Sequence, residues 1–187
     1  MDKLLIQNAR VYQNGQFVRA DVLCGDALIA KIGENLTDEE ARVIQADGLR
    51  LVPGFIDVHT HGAAGVDVNA ADEAGLRRIA AFFATQGVTA FNASVFTDTP
   101  ETTEKCLGAI ANVMSDRGMG AQLLGAHLEG PFLAKEYKGA MPEALLREGD
   151  EKLLRAYQNR FPGVIRYITV SPEVPGVVDM IGKISQD

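Results

Sequence analysis

The sequence has no tryptophan, and aromatic residues make up only 6% of its 187 residues. Since 47% of the residues are hydrophobic, a core must be built mainly from Ala, Val, Ile and Leu. This hydrophobic content, together with 23% charged residues, is typical of a globular protein that buries a real core.

Basic clusters and long apolar runs are missing as well. The chain carries 18 basic and 25 acidic residues, and no stretch of Lys and Arg forms a patch that would neutralise a phosphate backbone. The apolar run near the N-terminus is too short for a signal peptide, and no apolar segment approaches the length that spans a membrane. We therefore expect a cytoplasmic protein with no nucleic-acid or membrane partner.

Cysteine is scarce. Cys24 and Cys106 lie far apart in the sequence and have no metal-ligand spacing. Two reduced thiols in a reducing cytosol are the simplest interpretation of this pattern.

Residues 1–52 read as a small all-β unit. A Gln13-Asn14-Gly15-Gln16 turn and a later Asp47-Gly48 turn separate apolar stretches of strand length. The predicted strands are Leu4–Val11, Phe17–Leu23, Ala27–Ile32 and Val43–Val52, with one helical turn at Asp38–Ala41.

After Pro53-Gly54 the pattern changes to alternating strands and helices. The predicted strands are Phe55–His59, Val88–Ala93, Leu123–His127 and Val164–Val170, and the predicted helices are Asp72–Gln86, Thr99 to about Asp116, Glu151–Asn159 and Val174–Ile184. Such β/α repeats imply a parallel sheet. A (β/α)₈ barrel needs about 250 residues, so residues 53–187 form either a closed smaller α/β domain or half of a barrel.

The segment PGFIDVHTHG, Pro53 to Gly62, carries the first chemical signal. His59 and His61 are two residues apart at the end of an apolar strand, so their side chains point to the same side. Paired imidazoles suit zinc or a similar divalent ion. Asp57 lies on the same side and either orients a ligand or makes an ordinary hydrogen bond.

The segment GAHLEGPF, Gly125 to Phe132, carries the second signal. His127 and Glu129 share one face of a strand that ends at Gly130-Pro131. The three histidines of the chain all fall at the C-terminal ends of predicted parallel strands, where active sites of this architecture lie.

These motifs resemble those of known hydrolases. PGFIDVHTHG resembles the first-strand signature of the amidohydrolase superfamily, and HLEGPF is similar to the motif of its N-acetylglucosamine-6-phosphate deacetylase family. HGAAGVDV and KGAMPEALL resemble the glycine-rich loop and the substrate-contacting segment of that family. The resemblance implies an α/β fold: the N-terminal half of a (β/α)₈ TIM-like barrel in residues 53–187, preceded by part of a small β-sandwich domain in residues 1–52.

The resemblance also implies roles for individual residues. Glu129 would be the principal metal ligand, and His59 and His61 would hold a second metal in members that bind two. Gly139 and Ala140 would contact the sugar. The implied cofactor is a divalent metal, zinc in the first instance, with iron, manganese or cobalt as alternatives.

Other positions have weaker or missing counterparts. His127 and Asp57 are candidates to hold the ligands in place. Met141 departs from the family, which places a histidine there, and a thioether cannot donate a hydrogen bond to the sugar. The general acid, an aspartate, is expected beyond Asp187, so no residue of this chain is assigned as catalytic.

The implied activity is metal-dependent hydrolysis of the N-acetyl group of N-acetylglucosamine 6-phosphate, which gives glucosamine 6-phosphate and acetate. A homodimer or homotetramer is expected for the full-length enzyme, whereas the 187-residue chain alone is expected to be inactive. Two alternatives stay open: a dihydroorotase-like hydrolase of cyclic amides, which does not explain HLEGPF, and a non-catalytic metal-binding fragment.

Overall fold

A computed structural model describes residues 3–118 and 120–185 of the chain. The chain divides into two compact units, Met1–Pro53 and Gly54–Asp187. No helix within the described ranges is long and apolar enough to cross a membrane.

The first unit contains five strands, which are β1 Leu4–Gln13, β2 Gln16–Gly25, β3 Leu28–Gly33, β4 Arg42–Gln45 and β5 Arg50–Leu51. They form one sheet in the order β3-β2-β1-β4, with β5 also paired to β1. β1 and β2 form an antiparallel hairpin at Asn14-Gly15, where both residues have positive φ, as a tight two-residue turn requires. β4 and β5 run parallel to β1.

The small core of this unit contains Ala9, Val11, Ala20, Val22 and Ala46. Between Ile6 and Ala9 the β1–β2 register shifts. The buried carboxylate of Asp21 stabilises this irregularity by accepting hydrogen bonds from the backbone N–H groups of Asn8 at 2.7 Å and Leu36 at 2.9 Å. The helical turn predicted at Asp38–Ala41 is wrong, because the structure has only an isolated turn and a bend there.

The second unit alternates strands and helices. Its main strands are β6 Phe55–Thr60, β9 Val88–Phe96, β10 Gln122–Glu129 and β11 Ile165–Thr169, and its helices are α1 Glu73–Thr85, α2 Pro100–Val113, α3 Glu151–Arg160 and α4 Val177–Ile184. The four strands form a parallel sheet in the order β11-β10-β9-β6. The prediction of alternating strands and helices that build a parallel sheet is confirmed.

Local signals set the helix boundaries. The side chain of Asp72 accepts a hydrogen bond from Gly75 N at 2.8 Å, and Thr99 caps α2 with Pro100 in the first turn. α4 begins at Val177 rather than at the predicted Val174, because Gly176 has a φ of 77°.

The sequence pattern did not predict some short elements. The antiparallel pair β7 Gly62–Ala63 and β8 Val66–Asp67 follows β6 directly. Two 3₁₀ turns, Lys135–Tyr137 and Glu143–Leu145, lie between β10 and α3.

The main core of the second unit lies between the sheet and its helices. α1 contributes Leu76, Ile79, Ala80 and Phe83, and α2 contributes Cys106, Leu107, Ile110 and Val113. β9 alternates between the two faces of the sheet, so that Phe91, Ala93 and Val95 pack in this core while Asn92 and Ser94 point to the opposite face. That opposite face carries the side chains of the candidate site.

Candidate metal centre

His59 and His61 reach the site from the end of β6 and from the residue that follows it. The chain then folds back through β7 and β8, and Val68 N donates to His61 O at 2.9 Å. Gly62 permits this return: its φ is 138°, and a Cβ atom there would lie 2.0 Å from the carbonyl oxygen of Val66. The conformation next to His61 therefore requires glycine.

A second contact orients His61 from the neighbouring strand. The ring of Phe96 packs edge-on against the imidazole, with 5.6 Å between ring centroids. Asn69 holds the backbone at this point, since its side chain accepts from Phe96 N at 2.8 Å and donates to Phe96 O at 3.0 Å.

Glu129 is the last residue of β10, two strands away from β6 in the sheet. The hydroxyl of Thr97 donates to the carbonyl oxygen of Glu129 at 2.7 Å and so fixes its backbone. Its carboxylate extends across the sheet end to the two imidazoles.

The three side chains converge on one point. Glu129 Oε2 lies 2.7 Å from His61 Nε2 and 3.5 Å from His59 Nε2, and the two Nε2 atoms are 3.3 Å apart. One donor atom from each side chain thus falls within a group whose members are all less than 4.8 Å apart. Two imidazole nitrogens and one carboxylate oxygen are the ligand types that zinc takes in open catalytic sites.

Two buried atoms of this cluster, His61 Nδ1 and Glu129 Oε2, have no hydrogen-bond partner among residues 3–118 and 120–185. Glu129 Oε2 is buried and, despite its short distance to His61, the geometry there is not that of a hydrogen bond. An unpaired buried carboxylate oxygen is costly unless a cation compensates it. The cluster therefore fits a divalent ion better than it fits an internal polar network.

His127 lies behind this cluster and does not join it. The ring is fully buried, and both nitrogens are engaged, Nδ1 with Ser94 Oγ at 2.9 Å and Nε2 with Thr169 Oγ1 at 2.8 Å. Burial, followed by the effect of His59, lowers the pKa of His127 to about 4, so the ring is neutral at pH 7.

Two aromatic contacts surround His127. Its ring packs edge-on against His59, with 4.7 Å between centroids, and Tyr167 stacks on it at 4.2 Å. The Tyr167 hydroxyl donates to the carbonyl oxygen of Val58. Burial, with Asp57 and Glu129 as further causes, raises the pKa of Tyr167, so the phenol stays protonated as a donor.

The remaining predicted site residues lie outside the three-residue cluster. The carboxylate of Asp57 accepts a hydrogen bond from His59 N at 3.1 Å, a local backbone contact. Gly139 and Ala140 are exposed between the two 3₁₀ turns, while Met141 is buried. Lys138 Nζ donates to Met141 O at 2.8 Å and closes this turn.

Sequence reasoning missed Ser94, Tyr167, Thr169 and Asn69. Tyr167 and Thr169 carried a usable signal, because they are two residues apart at the end of a predicted parallel strand, as His59 and His61 are. Ser94 carried the same signal, because it follows the predicted strand Val88–Ala93 and lies two residues after the polar Asn92. Nothing in the sequence pattern marks Asn69, whose partner Phe96 lies on another element.

Comparison with known proteins gives a consistent result. The sequence model of the Amidohydrolase family matches residues 50–184. N-acetylglucosamine-6-phosphate deacetylase from Lysinibacillus sphaericus is 29% identical over 184 residues, which are 98% of this chain and 48% of the relative. The Homo sapiens protein of that name is 37% identical over 182 residues, 91% of this chain and 44% of the relative.

A solved structure shows the same likeness. The crystal structure of N-acetyl-D-glucosamine-6-phosphate deacetylase from Mycobacterium smegmatis superposes with a TM-score of 0.85 at 25% identity. The match covers 98% of this chain and 47% of that one. The chain thus spans about half the length of the curated relatives it matches.

Proposed function

The chain belongs to the amidohydrolase family, and from this we propose that it forms the metal-binding part of an N-acetylglucosamine-6-phosphate deacetylase. The proposed reaction is hydrolysis of the N-acetyl amide to give glucosamine 6-phosphate and acetate. The observation that carries the proposal is the convergence of His59, His61 and Glu129, where the buried Glu129 Oε2 has no hydrogen bond within the part of the chain that the structure describes.

We assign the three clustered side chains as metal ligands. A divalent ion bound there would supply Lewis-acid chemistry that polarises an amide carbonyl and acidifies water. Glu129 would contribute the negative charge that binds the ion. His59 and His61 would each bind it through Nε2. Zinc fits this ligand set, and iron, manganese and cobalt are the alternatives.

The substrate side of the proposal involves two regions. Gly139 and Ala140 are exposed and, by the family resemblance, contact the sugar. A pocket of about 290 Å³ opens beside His61, between Asn69 and Phe96. The leaving amide nitrogen needs a proton donor. We do not assign that role to His59, His61 or Glu129, because these three side chains are the proposed metal ligands.

The architecture we propose is half of a (β/α)₈ barrel, preceded by part of a β-sandwich domain. β6 and β11 are the two edges of the parallel sheet. On β6, Phe55, Ile56 and Val58 are each more than half exposed. Unpaired edges with exposed apolar residues favour association with further strands, and the curated relatives are about twice as long as this chain.

A hydrolase of cyclic amides is the second candidate, because a His-x-His strand is common to many hydrolases. It does not account for HLEGPF.

We further propose a cytoplasmic homodimer or homotetramer with zinc as the metal. Light scattering and emission spectroscopy on the purified protein would measure subunit number and metal content.

The decisive experiment measures acetate release from N-acetylglucosamine 6-phosphate by the full-length protein with added zinc. Dihydroorotate and a hydantoin serve as cyclic-amide substrates in parallel. We expect turnover of the amino sugar alone, and loss of that turnover in Glu129→Gln. Turnover confined to the cyclic amides, or full activity in Glu129→Gln, would show that the assignment is wrong.

A further inference from the structure

His127 makes more polar contacts than a side chain that only fills the core would need. This ring is fully buried on the face that carries the metal cluster, and a hydroxyl contacts each of its nitrogens. A neutral imidazole has one N–H donor and one lone pair. Both are used by Ser94 and Thr169, so no lone pair remains for a metal ion.

The hydroxyls come from the two strands that flank β10. Ser94 is the direct partner of His127 in the parallel register of β9 and β10. Thr169 lies on β11, two residues beyond Tyr167, which is the register partner of His127 on that side. The ring is thus held from both neighbouring strands, while Tyr167 covers one of its faces at an interplanar angle of 9°.

A further contact of His127 is with a residue of the metal cluster. Its ring meets that of His59 at an angle of 67°. The side chain of His59 is 47% exposed, and its other ring contact is with the part-exposed His61. Contact with the fixed ring of His127 therefore adds a buried restraint on its rotation. The position of His59 Nε2 depends on that rotation.

We propose that Ser94 and Thr169 are positioning residues for the metal centre, which fix the ring of His127 so that it in turn sets the orientation of His59. The proposal rests on the assignment of His59, His61 and Glu129 as metal ligands. It gives the two hydroxyls a function in metal affinity although neither touches the cluster.

The test is the zinc affinity of the metal-depleted full-length protein, measured by competition with a chromophoric chelator. Groups that orient metal ligands typically change affinity by about 10- to 100-fold, and we expect Ser94→Ala and Thr169→Val to weaken zinc binding by about 10-fold. Ser94→Thr and Thr169→Ser keep the hydroxyls and should restore affinity to within about twofold of the unsubstituted protein.

Thr103→Val is the matched control. Thr103 is buried on α2 and lines the same cavity as Tyr157, and none of the described hydrogen bonds of His127 involves it. Loss of its hydroxyl should lower the melting temperature of the metal-free protein and leave zinc affinity unchanged. A purely structural role for Ser94 predicts the same result for Ser94→Ala, and that result would overturn the proposal.

Two further measurements keep the outcome unambiguous. If Glu129→Gln binds zinc as tightly as the unsubstituted protein, the metal centre is wrongly assigned and the positioning role falls with it. If Ser94→Ala does not fold, side-chain ¹⁵N spectra of the unsubstituted protein decide. A single tautomer of His127 supports the proposal, and two exchanging tautomers contradict it.

Discussion

Gly62→Ala is the substitution that tests most directly how the backbone positions His61. A Cβ atom at residue 62 would lie 2.0 Å from the carbonyl oxygen of Val66, whereas ordinary contacts begin at 3.4 Å. The obstacle is backbone, so the segment between His61 and Val66 must move by about 1 Å or more to relieve the overlap. Metal sites tolerate about 0.2 Å in ligand distance, so we expect zinc affinity to fall by about 100-fold, by analogy with misplaced catalytic groups.

Gly65→Ala provides the matched control in the same hairpin. Gly65 has a φ of 76°, but a Cβ atom there would meet nothing within 4 Å. This variant therefore pays only the left-handed backbone cost of about 1 kcal/mol, without displacement of His61. Zinc affinity by chelator competition and thermal unfolding of the metal-free proteins are measured on both. Equal zinc affinity in the two variants would refute the argument that the Gly62 contact positions the ligand.

Three more predictions have definite expected outcomes. Glu129→Gln should lose most of its bound metal, because a neutral amide is a poor ligand, whereas His59→Asn should retain more metal. Emission spectroscopy measures the metal content of both variants. A higher metal content in Glu129→Gln than in His59→Asn would contradict the ligand roles. Asp21→Ala leaves two backbone N–H groups without their acceptor and should lower the free energy of unfolding by about 2 kcal/mol or more, while Glu39→Ala at an exposed site should change it by less than about 0.5 kcal/mol. The 187-residue chain should release no acetate from N-acetylglucosamine 6-phosphate and should associate in light scattering; turnover by this chain alone would show that the proton donor lies within it.

The elements of the second unit follow from local sequence. The apolar spacing of Leu76, Ile79 and Phe83 gives α1, and the Thr99-Pro100 pair marks the start of α2. The hairpin of β7 and β8 could not be predicted in this way, because two-residue strands show no periodicity. The helical turn predicted at Asp38–Ala41 does not form, because a segment of four residues has no apolar face that would stabilise a helix.

The candidate ligands could be predicted from sequence, and so could His127 and Asp57 as candidates to hold them, whereas the contacts that fix the ring of His127 could not. His59 and His61 project to one side because strand geometry repeats every two residues, which is a local rule. Ser94 meets His127 only because the register of β9 and β10 shifts between Leu123 and Gly125. Without that shift Ser94 would pair with Ala126, and His127 would turn to the opposite face of the sheet. Such a shift depends on the pairing of two distant strands, so the contact between Ser94 and His127 becomes visible only in the folded structure.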